Sequence, residues 1–235
     1  MLILNRLMMN LLKCFVFGFA LLTATASFAQ KLGVKGGLNL SDMVVKDDYG
    51  GRADSKMNPG FHLGAIVQWP IAEMFSFDTG LLFSMKGFKT SEEETFMNEY
   101  MTEIDVKYET RTNLFYLTVP LTARGTYNLG GSVIYVLFGP YVAMGVSGKV
   151  SFEYTHNEET EKGENDIRWG TDGKQDDFKR LDYGLTLGTG VEINVIQVGI
   201  SYGWGLANIS SYTADGNIVR NRVFDLSVGY SFGEN

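Results

Sequence analysis

The chain has 235 residues, with 27 acidic against 20 basic side chains and a formal charge of −7, a balance that argues against nucleic acid as a partner. Its single cysteine, Cys14, excludes a disulfide framework and a thiolate metal site. Hydrophobic residues make up 45% of the chain, yet no continuous apolar run reaches the roughly 18 residues that mark a membrane-spanning helix.

Residues 1–29 read as an export address. Arg6 and Lys13 supply the positive start, residues 14–22 the apolar core and Ser27-Phe28-Ala29 the small-x-small cleavage pattern, which predicts cleavage before Gln30. That core is shorter than the about 20 residues a spanning helix needs. Cys14 precedes most of it, which argues against a lipid-attachment cysteine. Removing the segment takes away Arg6, Lys13 and Cys14, leaving 18 bases against 27 acids, a charge of −9 and no thiol.

Beyond residue 30 the chain alternates apolar and polar positions in eight runs: 32–40, 61–69, 75–85, 114–124, 134–146, 183–193, 198–206 and 223–232. Their lengths fit tilted strands crossing a bilayer, for which about 9 to 11 residues suffice. Connections after the second, fourth and sixth runs are short (70–74, 125–133, 194–197); the others are long and polar, above all 89–113 and 147–182. Short turns on one side and long loops on the other predict an all-β fold, an eight-stranded antiparallel up-and-down transmembrane β-barrel over residues 30–235. Within the longest connections, residues 92–101 read equally as a short amphipathic helix or an acidic loop.

Period-two alternation splits each run into two faces. Phe75, Phe77, Leu81 and Phe83 oppose Ser76, Asp78, Gly80 and Ser84; Tyr183, Leu185, Leu187 and Val191 oppose Asp182, Gly184, Gly188 and Glu192. The second set is rich in glycine, which weakens strands and has no use on a solvent face but makes room inside a narrow barrel. The large apolar set is therefore assigned to lipid. A soluble periplasmic ligand-binding barrel, with the apolar set inside, is the alternative. The polar face supplies an interior network of Lys35, His62, Asp78, Lys86, Arg124, Asp182, Glu192 and Asp225, whose opposite charges can pair. Trp69, Phe75, Tyr127, Tyr135 and Phe232 flank the short turns, where an aromatic girdle belongs. Gly139-Pro140 interrupts the fifth run, which requires a missing ladder donor or a bulge.

Several short segments occur in a familiar order: Gly33-Val34-Lys35-Gly36-Gly37-Leu38-Asn39, Tyr116-Leu117-Thr118-Val119-Pro120-Leu121, Phe138-Gly139-Pro140-Tyr141, Asp182-Tyr183-Gly184, Gly188-Thr189-Gly190-Val191-Glu192 and Tyr202-Gly203-Trp204-Gly205-Leu206. Together they resemble the outer-membrane β-barrel family common in Bacteroidota, which includes PorT-like proteins, among the small barrels of the OmpX and OmpW type. The resemblance implies an integral outer-membrane barrel and carries no residue-level function. Its PorT branch is linked to protein secretion.

Signs of chemistry are sparse. An enzyme needs a nucleophile, a base and an orienting acid together; His62, Ser84 and Asp78 share the inner face, but structural polar filling explains them far better. His156 falls in an acidic connection. The acidic stretches, with Glu92, Glu93, Glu94, Glu99, Glu103, Asp105 and Glu109 in one and Glu158, Glu159, Glu161, Glu164 and Asp166 in the other, match no twelve-residue calcium loop. The reading is of no enzyme, no catalytic residue, no metal and no cofactor. Function is expected in residues 44–58, 89–113, 147–180 and 207–221, facing the exterior, through outer-membrane lipid and lipopolysaccharide, surface polymers or envelope proteins. A transport role, as a narrow pore or an accessory to secretion, is the alternative; eight strands leave a bore that side chains can fill.

Overall fold

The computed structural model describes residues 30–46, 55–97, 103–156 and 159–232. The export segment, including Arg6, Lys13 and Cys14, lies outside the described residues, as does most of connection 44–58. Nine strands are present: β1 (Lys31–Lys46), β2 (Lys56–Ala72), β3 (Phe75–Met97), β4 (Glu103–Asn128), β5 (Val133–His156), β6 (Glu159–Asp166), β7 (Leu181–Ile193), β8 (Ile196–Gly205) and β9 (Ile218–Phe232). All pairings between them are antiparallel. Eight of the strands close a ring in the order β1-β2-β3-β4-β5-β7-β8-β9, with β9 returning to β1. Closure leaves no open edge around the bore.

The ninth strand corrects the expected count of eight. β6 folds back on β5 from Lys149↔Asp166 to His156↔Glu159 and pairs with nothing else, so it stands outside the ring. The reading of 89–113 and 147–180 as loops needs the same correction. β3 and β4 stay in register from Phe88↔Thr112 to Met97↔Glu103, so Glu92–Met97 is strand and not helix. His156, expected in a loop, is the last residue of β5. The physical reason is pairing: cross-strand bonds and matched side chains hold polar sequence in a ladder that local periodicity does not announce. β2 stops pairing with β3 at Lys56↔Lys89. Above that level β3, β4, β5 and β6 form a four-stranded blade projecting from the rim.

Exposure settles the two faces. Leu32, Val34, Leu38 and Leu40 on β1, Phe75, Leu81 and Phe83 on β3, Tyr183, Leu187 and Val191 on β7, and Phe224, Leu226, Val228, Tyr230 and Phe232 on β9 point outward and are exposed. The apolar set therefore clothes the outside, opposite to what a soluble ligand-binding barrel requires. Tyr135 departs from the expected girdle: it is 5% exposed and turns into the bore. It fits there because Gly190 and Gly199 lie against its hydroxyl, where a Cβ would come within 2.4 and 2.2 Å. The β4–β5 ladder skips from Pro120↔Tyr141 to Ala123↔Phe138, a gap without a register shift, where Pro140 offers no donor.

The buried apolar core sits at the long-connection end of the ring. β7 and β8 are short, and the connections 167–180 and 206–217 fill the space above them between β5 and β9. Their backbones are tied in by Ile167 N to Gly148 O (2.9 Å), Gly145 N to Arg180 O (2.7 Å), Lys179 N to Ile209 O (2.7 Å) and Ile209 N to Val219 O (2.9 Å). Ile167, Ala207 and Ile209 from these connections join Met43 of β1, Leu114 and Tyr116 of β4 and Val219 of β9 in one buried cluster, with Trp169 and Phe178 packed against it. Because it joins opposite walls, the cluster caps the bore.

Candidate functional site

Three layers fill the ring. At the short-turn end Arg124 reaches across the bore from β4: its guanidinium donates to Asp78 of β3 (3.3 Å), Glu192 of β7 (3.2 Å) and Gln197 of β8 (3.2 Å). Asp78 also accepts from Ser76 (2.8 Å) and Gln68 (3.3 Å), and Gln197 donates to Glu192 (3.0 Å). The Tyr135 ring lies 3.7 Å from the guanidinium carbon, stacking the cation on an aromatic face. The hydrogen bonds of this brace tie five strands together, β2, β3, β4, β7 and β8.

Directly beneath the apolar cap lies the second ion pair. Lys86 donates to Asp182 (2.8 Å), which also accepts from Asn221 (2.9 Å) and Tyr141 (3.4 Å) on the same oxygen. The ammonium sits over the rings of Tyr141 (4.4 Å) and Tyr116 (4.9 Å). With Lys86 5% and Asp182 0% exposed, the charges are held by each other and by aromatic faces rather than by water.

Between brace and cap is a cavity of about 120 Å³, bordered by Lys35, His62, Thr118 and Asp225 among others. His62 Nδ1 is 2.6 Å from Asn39 Oδ1 and 3.8 Å from Asp225, which accepts from Ser201 (3.0 Å). His62 Nε2, Thr118 Oγ1 and Arg124 Nε are buried without a protein partner, and polar atoms of that kind bind water well in a space this size.

All eight polar residues singled out from sequence occupy this bore, in separate groups: Arg124 with Asp78 and Glu192, Lys86 with Asp182, and Lys35, His62 and Asp225 in the middle. His62 and Ser84 are cross-strand partners, whereas the Asp78 carboxylate belongs to the Arg124 brace, and the carboxylate beside His62 is that of Asp225. Among the described residues no three His, Cys, Asp or Glu side chains are grouped to hold a metal ion. Sequence reasoning missed Tyr116, Tyr141, Asn221 and Gln197, which complete the two ion-pair sites. All four share the inward parity of their strands, and that parity is the signal that finds them.

The cap was also missed. Trp169 packs edge-on to Tyr116 at 5.8 Å, and a Cβ on Gly145 would stand 2.4 Å from its ring. Arg180 donates to the Gly145 carbonyl (2.9 Å) beside that ring.

Outside the ring, the blade carries most of the charge. Its described residues, 89–97, 103–111, 149–156 and 159–166, hold 11 acidic and 5 basic side chains, a balance of −6 against −7 for the whole chain. Its outer face is cross-linked by Lys89–Glu109 (2.5 Å), Lys107–Glu93 (3.2 Å), Lys162–Glu153 (2.7 Å) and Lys149–Glu164. The hydrogen bond from Lys89, followed by the charges of Lys89, Arg111 and Lys107, holds the Glu109 carboxyl below its ordinary range.

A closed antiparallel ring with an apolar exterior and a charged interior is the arrangement that lets strands cross a bilayer with every backbone group paired. Residues 28–211 match a family described as an outer membrane protein beta-barrel domain. The chain belongs to that family. It is therefore an outer-membrane β-barrel protein. No curated protein matches it. Among solved structures it is similar to Ail, the attachment invasion locus protein of Yersinia pestis, crystallised with the heparin analogue sucrose octasulfate, at 18% identity over 87% of this chain and 100% of that one, with a TM-score of 0.33. It is also similar to Neisserial surface protein A, at 11% identity over 86% and 97% with a TM-score of 0.36. The outer membrane protease OmpT of Escherichia coli gives 12% identity over 88% and 98% with a TM-score of 0.33.

Proposed function

We propose that this barrel, exported with residues 1–29 removed and fixed in the outer membrane of a Gram-negative cell, is a non-catalytic interaction protein whose acidic blade faces the exterior. One contrast carries the reading: the bore is crossed twice, by the Arg124 brace and by the apolar cap, while much of the chain's negative charge is raised on a paired four-stranded blade. Long strands and cross-strand ion pairs are spent on presenting a surface. A partner would be met there, among surface polymers, envelope proteins or lipopolysaccharide.

Planar-bilayer recording of the purified barrel tests this. No stepwise conductance is expected, together with labelling of a Thr160→Cys variant by a membrane-impermeant maleimide on intact cells. Open-channel steps in the unmodified protein would overturn the reading. The cavity of about 120 Å³ inside the bore favours a second one, transport through a narrow pore once the cap moves. In that case a Trp169→Ala variant conducts where the parent does not. An accessory role in secretion, as for PorT-like proteins, predicts instead co-purification with a secretion complex.

A further inference from the structure

Where the apolar wall ends on β2, β3 and β4, three basic side chains stand side by side. Lys56 is paired directly with Lys89, and Lys89 directly with Arg111, so the row runs across three neighbouring strands on one face. Like charges opposite one another in a sheet repel. Among the described residues one carboxylate is ion-paired with the row: Glu109 lies 2.5 Å from Lys89 and 3.7 Å from Arg111. Three bases and one acid leave the row at +2, on a chain that is otherwise negative. Lys56 and Arg111 are exposed and Lys89 is half-buried.

Below this row, toward the membrane interior on the same three strands, the wall presents an aromatic ladder. The Phe61 and Phe83 rings are 6.1 Å apart, and those of Phe83 and Phe115 stack at 5.7 Å and 10°. Arg111 precedes Phe115 by four residues, about 13 Å along a strand. An amphiphile spans that distance: an anionic head at the bases, a hydrocarbon chain on the rings. We propose that Lys56, Lys89 and Arg111 seat the phosphate of an anionic membrane lipid whose acyl chain lies on Phe61, Phe83 and Phe115. Guanidinium and ammonium groups match phosphate as charge-assisted donors, and a bound phosphate relieves the repulsion within the row. The lipid belongs to the outer leaflet, and that part rests on the proposed outward orientation of the blade.

Retention of lipid by the detergent-purified protein, read by native mass spectrometry, tests the site. Micelles doped with phosphatidylglycerol should leave adducts that phosphatidylcholine does not. A Lys56→Gln/Lys89→Gln/Arg111→Gln variant should lose them about a hundredfold, taking each base near a membrane surface at its usual worth. Glu109→Gln removes the carboxylate paired with Lys89 and Arg111 and should strengthen retention about fivefold, which a merely structural role for these residues does not predict. Lys162→Gln, on β6, should match the parent. Equal retention of both lipids, or Glu109→Gln weakening the preference, overturns the proposal. Displacement of phosphatidylglycerol by millimolar inorganic phosphate overturns the lipid source in favour of free phosphate. Orientation is read separately by the Thr160→Cys labelling: if only permeabilised cells label, the outward reading fails while the lipid result stands, reassigned to the inner leaflet.

Discussion

At the scale of single residues, the bore rests on two buried ion-pair sites that differ in design. Lys86 faces one carboxylate, Arg124 two. Removing one partner of a buried pair leaves a charge without compensation, at a cost of about 3–5 kcal/mol, whereas replacing both by apolar groups is often neutral. Lys86→Met should therefore destabilise the barrel by about 3–5 kcal/mol, and Lys86→Met/Asp182→Leu should recover most of that loss, in urea titrations followed by gel mobility. Arg124→Ala exposes Asp78 and Glu192 to each other and should lower the unfolding temperature; an unchanged value removes Arg124 from the brace. On the blade the relevant group is Glu109. Its folded value lies below the ordinary one, so its pairing with Lys89 stabilises fully above the ordinary glutamate range and is lost as pH falls through the lower folded value. Amide exchange in residues 89–93 and 107–111 should accelerate in that acid window and be flat above it. Inward parity was legible for all eight polar residues, because a strand's two faces are fixed by counting. Which carboxylate meets which base was not, because partners such as Lys86 and Asp182 lie 96 residues apart and meet only across the closed ring.

At the scale of elements, the ring strands were legible and the extensions were not. Apolar alternation marks a strand only while one face meets lipid. Above the rim both faces of β3, β4, β5 and β6 meet water, so the alternation fades while the hydrogen-bonded ladder continues. The cap is a second element without a periodic signature. Its one readable trace is Gly145, an inward position of β5 left without a side chain, into which the Trp169 ring settles. Gly145→Val should displace that ring, at about 1–3 kcal/mol for an overpacked site. The expected result is faster proteolysis within 167–180 and a shift in tryptophan emission, with the rest of the barrel intact. Unchanged emission and cleavage would mean that the cap does not depend on this contact.

For the whole molecule, closure is the decisive property. A ring with all its strands paired and a charged, cross-braced interior should resist detergent. Unboiled protein from the outer-membrane fraction should then migrate anomalously on a gel and shift only after heating. A mobility that heating leaves unchanged would contradict a closed barrel. By itself the sequence determined the all-β class, the eight ring segments, the side of the short turns and the direction of every strand face. These follow from local rules: a period of two, turn length, and the cost of leaving backbone polar groups unpaired in lipid. The ninth strand, the cap, the pairing of charges and the row of Lys56, Lys89 and Arg111 were decided only by tertiary structure. Each depends on register between distant segments, and register is set by the closure of the ring, which no local stretch of the chain contains.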